Sequence, residues 1–374
     1  MRGKKGAVKV AMALFLSAVG VTALAGSGCG QEKGMENVPK RQAEEVSLEG
    51  QENMDAPVRN FTNMCAYNGK VYCGAHGFFG EEIPLESNVF TIWDDKIYFV
   101  EKVQEAYDSL TDELTQIKCS NLDGSGVETL AEDVFLAGAG YEKIIGNKLF
   151  YGCGYDENHC MEYAWVDVGT KERGMVSTNR IEDILGYDGI YLYYRGIDRE
   201  REQNVLGRVH LKEGKDEILD TFAKVDEEGY IESAVYADGK LYCFTLDYKP
   251  EGYDYRTFHY RMDIRDKETG KALGKVPADF TGSSNYSFLV QGGKVYTAMA
   301  GEVVAISIDK GEKWTLARME EKEYWGILYF IPGDGYLYYE AIAEVDEETG
   351  NNDYFYRVPE SGGKKELLSE WYTA

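Results

Sequence analysis

Residues 238–242 read DGKLY: two turn residues, a lysine, then an aliphatic and an aromatic side chain. Asp-Gly between hydrophobic runs is a strong signal for a two-residue hairpin turn, because both central residues must adopt φ > 0. Before this phrase stands ESAVYA and after it CFTL, so the segment reads as strand, tight turn, strand. The same phrase recurs through the chain. Its aliphatic–aromatic pairs are Val71-Tyr72, Ile97-Tyr98, Leu149-Phe150, Ile190-Tyr191, Leu241-Tyr242, Val295-Tyr296 and Leu337-Tyr338. The residues before them are NGK, DDK, GNK, YDG, DGK, GGK and DGY. With an aromatic content of 13%, an aromatic residue at the same place in all seven copies marks a structural repeat.

A second phrase follows in six units, a polar turn flanked by short apolar–polar alternation. IKCSNLDGSGVETL (117–130), YRMDIRDKETGKAL (260–273) and VVAISIDKGEKWTL (303–316) are examples. Two hairpins make a four-stranded antiparallel unit. A single such unit cannot bury both of its faces, whereas a ring of them does. The expected fold is therefore all-β, a β-propeller of seven blades with a short first blade. The alternative is six, if the first unit, which has only FFGEEIPLE after its hairpin, completes another blade. The aliphatic and aromatic residues of each second strand point to opposite faces and are expected to pack against the two neighbouring units. No long segment shows a 3.6-residue period, so little helix is expected.

The ends set the organisation. Residues 1–28 read as a signal peptide: Arg2, Lys4, Lys5 and Lys9 precede an uncharged apolar stretch from Val10 to Ala25. Small residues then lead to Cys29, an arrangement that resembles a bacterial lipoprotein signal. The resemblance implies cleavage before Cys29, lipidation of its thiol, and localisation at the outer surface of a cell membrane. Gly26 departs from the pattern, which prefers a Leu-like residue there. Ordinary secretion would leave Cys29 as a free thiol. Residues 29–57 are rich in Glu, Gln, Lys and Gly, have no hydrophobic period, and read as a flexible tether before a propeller over 58–374.

NLDGSGVETL and YRVPESGGKKELL resemble repeats of bacterial lipoproteins with a low-density-lipoprotein-receptor-like β-propeller, although no YWTD sequence occurs. The resemblance implies an extracytoplasmic domain and no assignable activity. Gly311 and Trp314 also resemble the turn Gly and docking Trp of quinoprotein dehydrogenase repeats, and the same segment is similar to a sialidase Asp-box; a structural hairpin explains both.

The net charge of −25 disfavours nucleic acid and anionic lipid as partners. A peptide, a glycan or a surface protein is the expected partner. No nucleophile elbow, P-loop or paired metal-ligand histidines stand in the sequence; the histidines are His76, His159, His210 and His259. No catalytic residue, metal site or cofactor is assigned. The acidic loops at 155–159 and 346–353 could hold Ca²⁺ but lack the EF-hand ligand order. The reading is a non-catalytic binding or scaffold protein, with a propeller lyase or glycosidase acting on the ring axis as the alternative. Cys153 and Cys160 bracket a polar loop that a disulfide could close. Cys65, facing Tyr72, is out of register with Cys73. The insertion at 247–258 carries Tyr248, Tyr253, Tyr255 and Phe258, a candidate ligand-contact surface, because aromatic side chains offer area at low entropic cost.

Overall fold

The structure is a computed structural model. It describes residues 58–373 except 63, 69, 75–80, 86, 88, 105–113, 136–141, 157–159, 225–226, 249–257, 282, 300, 320–325, 334 and 343–350. Among the described residues every regular element is a β-strand. Blade 1 is β5 (Phe90–Trp93), β6 (Lys96–Gln104), β7 (Leu114–Asn121) and β8 (Glu128–Phe135). Blade 2 is β9 (Lys143–Ile145), β10 (Lys148–Tyr155), β11 (Met161–Asp167) and β12 (Arg173–Met175). Blade 3 is β13 (Ile181–Tyr187), β14 (Tyr191–Asp198), β15 (Gln203–His210) and β16 (Lys215–Phe222). Blade 4 is β17 (Ile231–Ala237), β18 (Lys240–Tyr248), β19 (His259–Asp266) and β20 (Ala272–Lys275). Blade 5 is β21 (Ser283–Gln291), β22 (Lys294–Met299), β23 (Glu302–Ser307) and β24 (Lys313–Arg318). Blade 6 is β25 (Gly326–Gly333), β26 (Tyr336–Ile342), β27 (Asn351–Pro359) and β28 (Glu366–Thr373).

Each blade is an antiparallel meander in sequence order. The propeller thus has six blades of four antiparallel strands, the alternative count. The short first unit is not a full blade. Its hairpin, β2 (Met64–Tyr67) and β3 (Lys70–Cys73), is joined by β4 (Glu81–Glu82), which runs parallel to β3. This three-stranded sheet sits between blades 6 and 1. Met64 packs with Tyr338 and Phe355 of blade 6, and Cys65 and Ile83 pack with Phe90, Ile92, Ile97 and Phe99 of blade 1.

The repeated pair explains the ring. Ile97 faces the short sheet and Tyr98 faces blade 2. Leu149 then faces blade 1, while Phe150 faces blade 3. Leu241 and Tyr242, Val295 and Tyr296, and Leu337 and Tyr338 repeat the division in blades 4 to 6. In each case the aliphatic residue meets the preceding unit and the aromatic the following one, and burial of each such side chain is worth about 1.5–3 kcal/mol. Blade 3 departs from the sequence reading. Ile190 is 54% exposed, and Leu192 and Tyr193, both fully buried, take the packing places. The reason is a longer turn: Tyr187 pairs with Leu192, and Asp188 Oδ1 accepts from the amides of Ile190 and Tyr191 at 3.1 and 2.8 Å. That cap shifts the frame by two residues, which preserves the alternation of faces.

The second hairpins lock neighbouring blades. Gly214, Gly270 and Gly311 all lie at φ between +66° and +68°, the left-handed region that favours glycine. A Cβ at Gly311 would lie 2.0 Å from the Pro277 carbonyl oxygen, and one at Gly270 would lie 2.8 Å from that of Leu219. Both contacts are to the preceding blade. In blade 2 the equivalent residue is Lys171 (φ +64°), and its ammonium reaches Glu128 of blade 1 at 2.6 Å.

Candidate functional site

The strand pairing gives the ring two unlike faces. One, the turn face, carries the tight hairpins of each blade, such as Asp238–Gly239 between Ala237 and Lys240, and the turns near Gly214, Gly270 and Gly311. The other, the loop face, carries the connections from second to third strand and from one blade to the next. These vary in length, from residues 300–301 in blade 5 to 249–258 in blade 4.

At the loop face, the first turns of the inner strands of blades 2 to 4 bring charged groups together. The Lys143 ammonium on β9 donates to Asp183 Oδ1 at 2.6 Å and to the Ile184 carbonyl at 2.7 Å. Irregular pairing between Ile181 and Asp183 places Glu182 where its carboxylate accepts from Arg195 at 3.2 Å. Bulges re-aim side chains in this way. Burial opposes the charge on Arg195, and the carboxylates of Glu182, Asp183 and Glu232 more than offset it, holding the pKa above the usual guanidinium value. Burial pushes the Tyr230 phenol up to about 12. Gly196 permits the close approach: a Cβ there would meet the Arg180 carbonyl oxygen at 1.7 Å.

Glu142, immediately before β9, is fully buried, and neither carboxylate oxygen has a hydrogen-bond partner. Burial raises its pKa to about 8, against a smaller opposing pull from Lys143. It is therefore a neutral acid at neutral pH.

A second polar group lies at the base of the blade 4 insertion. The Thr281 hydroxyl donates to Asp279 at 2.6 Å and shares a 2.7 Å hydrogen bond with Nδ1 of His259. Tyr248, 51% exposed, stands beside His259 with ring centroids 5.8 Å apart. Of the aromatic residues anticipated as a ligand surface, two are described, and Tyr248 is the exposed one. Phe258 is instead a core residue: it packs beside Tyr260 between blades 4 and 5, where removing it from water outweighs any contact at the surface. Tyr253 and Tyr255 lie outside the described residues.

Cys153 and Cys160 are separate thiols, contrary to the anticipated bridge. The loop between them is closed by hydrogen bonds instead. The Asp156 amide donates to the Cys160 carbonyl at 2.9 Å, and the Cys160 amide donates to Asp156 Oδ1 at 2.9 Å. Cys153 Sγ faces the Glu162 carbonyl beside a bulge in β10, whereas Cys160 is turned toward Asp156 and Arg199. Cys65 pairs opposite Tyr72 as the register predicts.

The opposite face holds structural locks. Asp188 accepts from Tyr193 (2.8 Å) and from Lys267 of blade 4 (2.7 Å), and these bonds keep its carboxyl low despite burial. A further lock joins blade 3 to the connection that precedes it: Asp216 accepts from Tyr194 (2.7 Å) and, from that connection, Thr178 (2.9 Å) and Arg180. Gly207 makes room for Tyr194, since a Cβ there would lie 2.2 Å from the ring. Tyr193 stacks on Tyr236 of blade 4 at 4.8 Å. The aromatic group at 191–194 is thus blade packing. Trp314, the resembled docking residue, is 43% exposed beside Lys294.

Among the described residues no group of three or more His, Cys, Asp or Glu is arranged to hold a metal ion. Asp156, in one of the loops considered for Ca²⁺, is engaged by Cys160 and Asn179. His76, His159, Cys29, the tether and most of 346–353 lie outside the described residues.

These features define a β-propeller. No protein-family model and no curated protein matches the chain. Solved structures resemble it in fold. An acylaminoacyl peptidase of Pyrococcus horikoshii aligns with a TM-score of 0.47 and 10% identity, over 75% of this chain and 52% of its own. The β-propeller domain of the Trilobed protease from Pyrococcus furiosus aligns at 0.41 and 11%, over 84% of this chain and 98% of its own. TolB from Acinetobacter baumannii aligns at 0.41 and 11%, over 71% and 64%. The chain spans about half the length of the acylaminoacyl peptidases it resembles.

Proposed function

We propose that this chain is an exported lipoprotein, anchored through Cys29 and related to the low-density-lipoprotein-receptor-like propeller lipoproteins, whose propeller binds or scaffolds a peptide, glycan or surface protein. The observation that carries the binding role is the unlikeness of the two faces. The turn face is tight and, apart from the lengthened turn of blade 3, repeats with little change from blade to blade, as a packing surface does. The loop face varies in every unit, and variable loops on a rigid frame are where recognition is built. Tyr248 and His259 stand at the edge of its longest described-strand insertion.

The test is binding of the purified chain to glycan and peptide arrays, with variants on each face. Tyr248→Ala and deletion of 249–257 should weaken a captured ligand, while Lys212→Ala on the turn face should not. Equal loss from both faces refutes the assignment.

One observation favours a second reading, a lyase or glycosidase: acidic groups do converge at the inner strand ends. Against it, Glu182 and Asp183 are held by Arg195 and Lys143. Glu142 has the proton affinity of a general acid but is sealed from solvent. Turnover of a glycan that is lost in Glu182→Gln would favour the enzyme.

A further inference from the structure

We propose that the chain enters the ring from the turn face, so that an anchor at Cys29 holds the turn face toward the membrane and leaves the loop face outward, open to a partner arriving from the aqueous side. The anchor rests on the lipoprotein reading above; the direction of entry does not.

The direction follows from β1 (Val58–Asn60), which is not part of any hairpin. It adds to blade 2 as a fifth strand on the far side of β9 from β10, the axial edge of that blade. The pairing is antiparallel, with Val58 opposite Ile145 and Asn60 opposite Lys143. Ile145 borders the hairpin to Lys148 at the turn face, and Lys143 begins β9 at the loop face. The chain therefore travels along the axis from turn face to loop face before it starts β2.

Three contacts hold this passage. The Phe61 amide donates to the Glu142 carbonyl at 3.1 Å. Thr62 and Phe90 exchange amide–carbonyl bonds of 3.0 and 2.9 Å with the inner strand of blade 1. The Phe61 ring is fully buried between blades 1 and 2. Residues 58–62 thus cross from blade 2 to blade 1 as a wedge, and a pull on the tether acts on the axis of the ring rather than on its rim. The flexible tether proposed for 29–57 would span on the order of 30 Å. A tether leaving the centre of the turn face reaches a surface on that side without passing round the ring, which is the arrangement of lower entropic cost.

The experiment separates the geometry from the natural lipid. The chain from residue 29 onward is given a synthetic diacyl lipid at its N-terminus and bound to vesicles of phosphatidylcholine with an energy-accepting lipid dye. A donor is placed by p-azidophenylalanine at Lys212, exposed on the turn face of blade 3, or at Glu200, exposed on its loop face. Energy transfer to the bilayer should be greater from position 212 than from 200. Equal or reversed transfer overturns the proposal. Phe61→Ser, which frees the wedge, should narrow the difference; an undiminished difference would show that β1 does not set the orientation. Metabolic labelling of Cys29 tests the natural anchor separately, and its failure would leave the vesicle result standing.

Discussion

Replacing Gly311 by alanine probes the contact that locks one blade to the next. Two costs arise. The first is conformational: at φ +68° an alanine sits in the left-handed region, at about 1–2 kcal/mol. The second is steric. The new Cβ would stand 2.0 Å from the Pro277 carbonyl oxygen, a backbone atom that no rotamer change can move. Either the turn or the exit of β20 must shift, and overpacking of this kind costs about 1–3 kcal/mol. The Gly311 amide also donates to the Ser307 carbonyl at 2.9 Å, so a shifted turn strains its own closure. Gly239 is the matched control, with φ +69° and nothing within 4 Å of a Cβ. Gly239→Ala should therefore show the conformational cost alone, and Gly311→Ala should exceed it by about 1–3 kcal/mol. Gly270→Ala, with its contact at 2.8 Å, should fall between them. Equilibrium urea unfolding followed by tryptophan fluorescence measures all three on one scale. If Gly311→Ala costs no more than Gly239→Ala, the turn does not buttress the preceding blade and the reasoning fails.

Glu142→Gln should raise stability at pH 8 and lose its advantage as the pH approaches 4.5. The folded carboxyl binds its proton up to about pH 8 and the unfolded one only to about 4.5, so the wild type weakens as pH rises across that window. Denaturation from pH 4 to 9 should show a shallower slope for the variant; identical slopes would mean that the carboxyl is solvated. Lys171→Gly should be more stable than Lys171→Ala by about 1–2 kcal/mol, because both lose the exposed Glu128 pair but only glycine relieves φ +64°. Asp188→Asn should destabilise the ring by about 2–3 kcal/mol in the same unfolding assay, since a buried carboxylate that pairs with Lys267 and accepts from Tyr193 is lost. In cells, a palmitate analogue should label the wild type and not Cys29→Ser, and equal labelling would refute lipidation.

The propeller was legible in the sequence because its signals are local. Period-2 alternation and turn pairs with φ > 0 are set by neighbours along the chain, and they identified both hairpins of the six full blades. The division of each aliphatic–aromatic pair between two faces followed from the pleat alone. Where the local signal is imperfect, sequence and structure differ: DGI at 188–190 looks like DGK, but the Asp188 cap lengthens the turn and moves the packing pair to Leu192 and Tyr193. Phe258 looked like part of an exposed insertion because distance along the chain does not reveal which residue a neighbouring blade covers. The Cys153–Cys160 spacing suggested a bridge, yet thiol direction depends on a bulge that only the sheet pairing shows.

The site was the least legible part. Lys143, Asp183, Glu182, Arg195 and Tyr230 come from three blades and carry no motif; the sole sequence signal was a charged residue at the start of an otherwise apolar inner strand. Residues 58–62 gave no hint of their position either. Strand periodicity in the chain by itself determined that there would be a ring of hairpin blades, because sheet faces must be buried and period-2 patterns say which side chains do it. Tertiary structure alone decided the wedge of the short sheet, the passage of β1 along the axis and the unlikeness of the two faces, because these depend on pairings between segments whose partners no local pattern specifies.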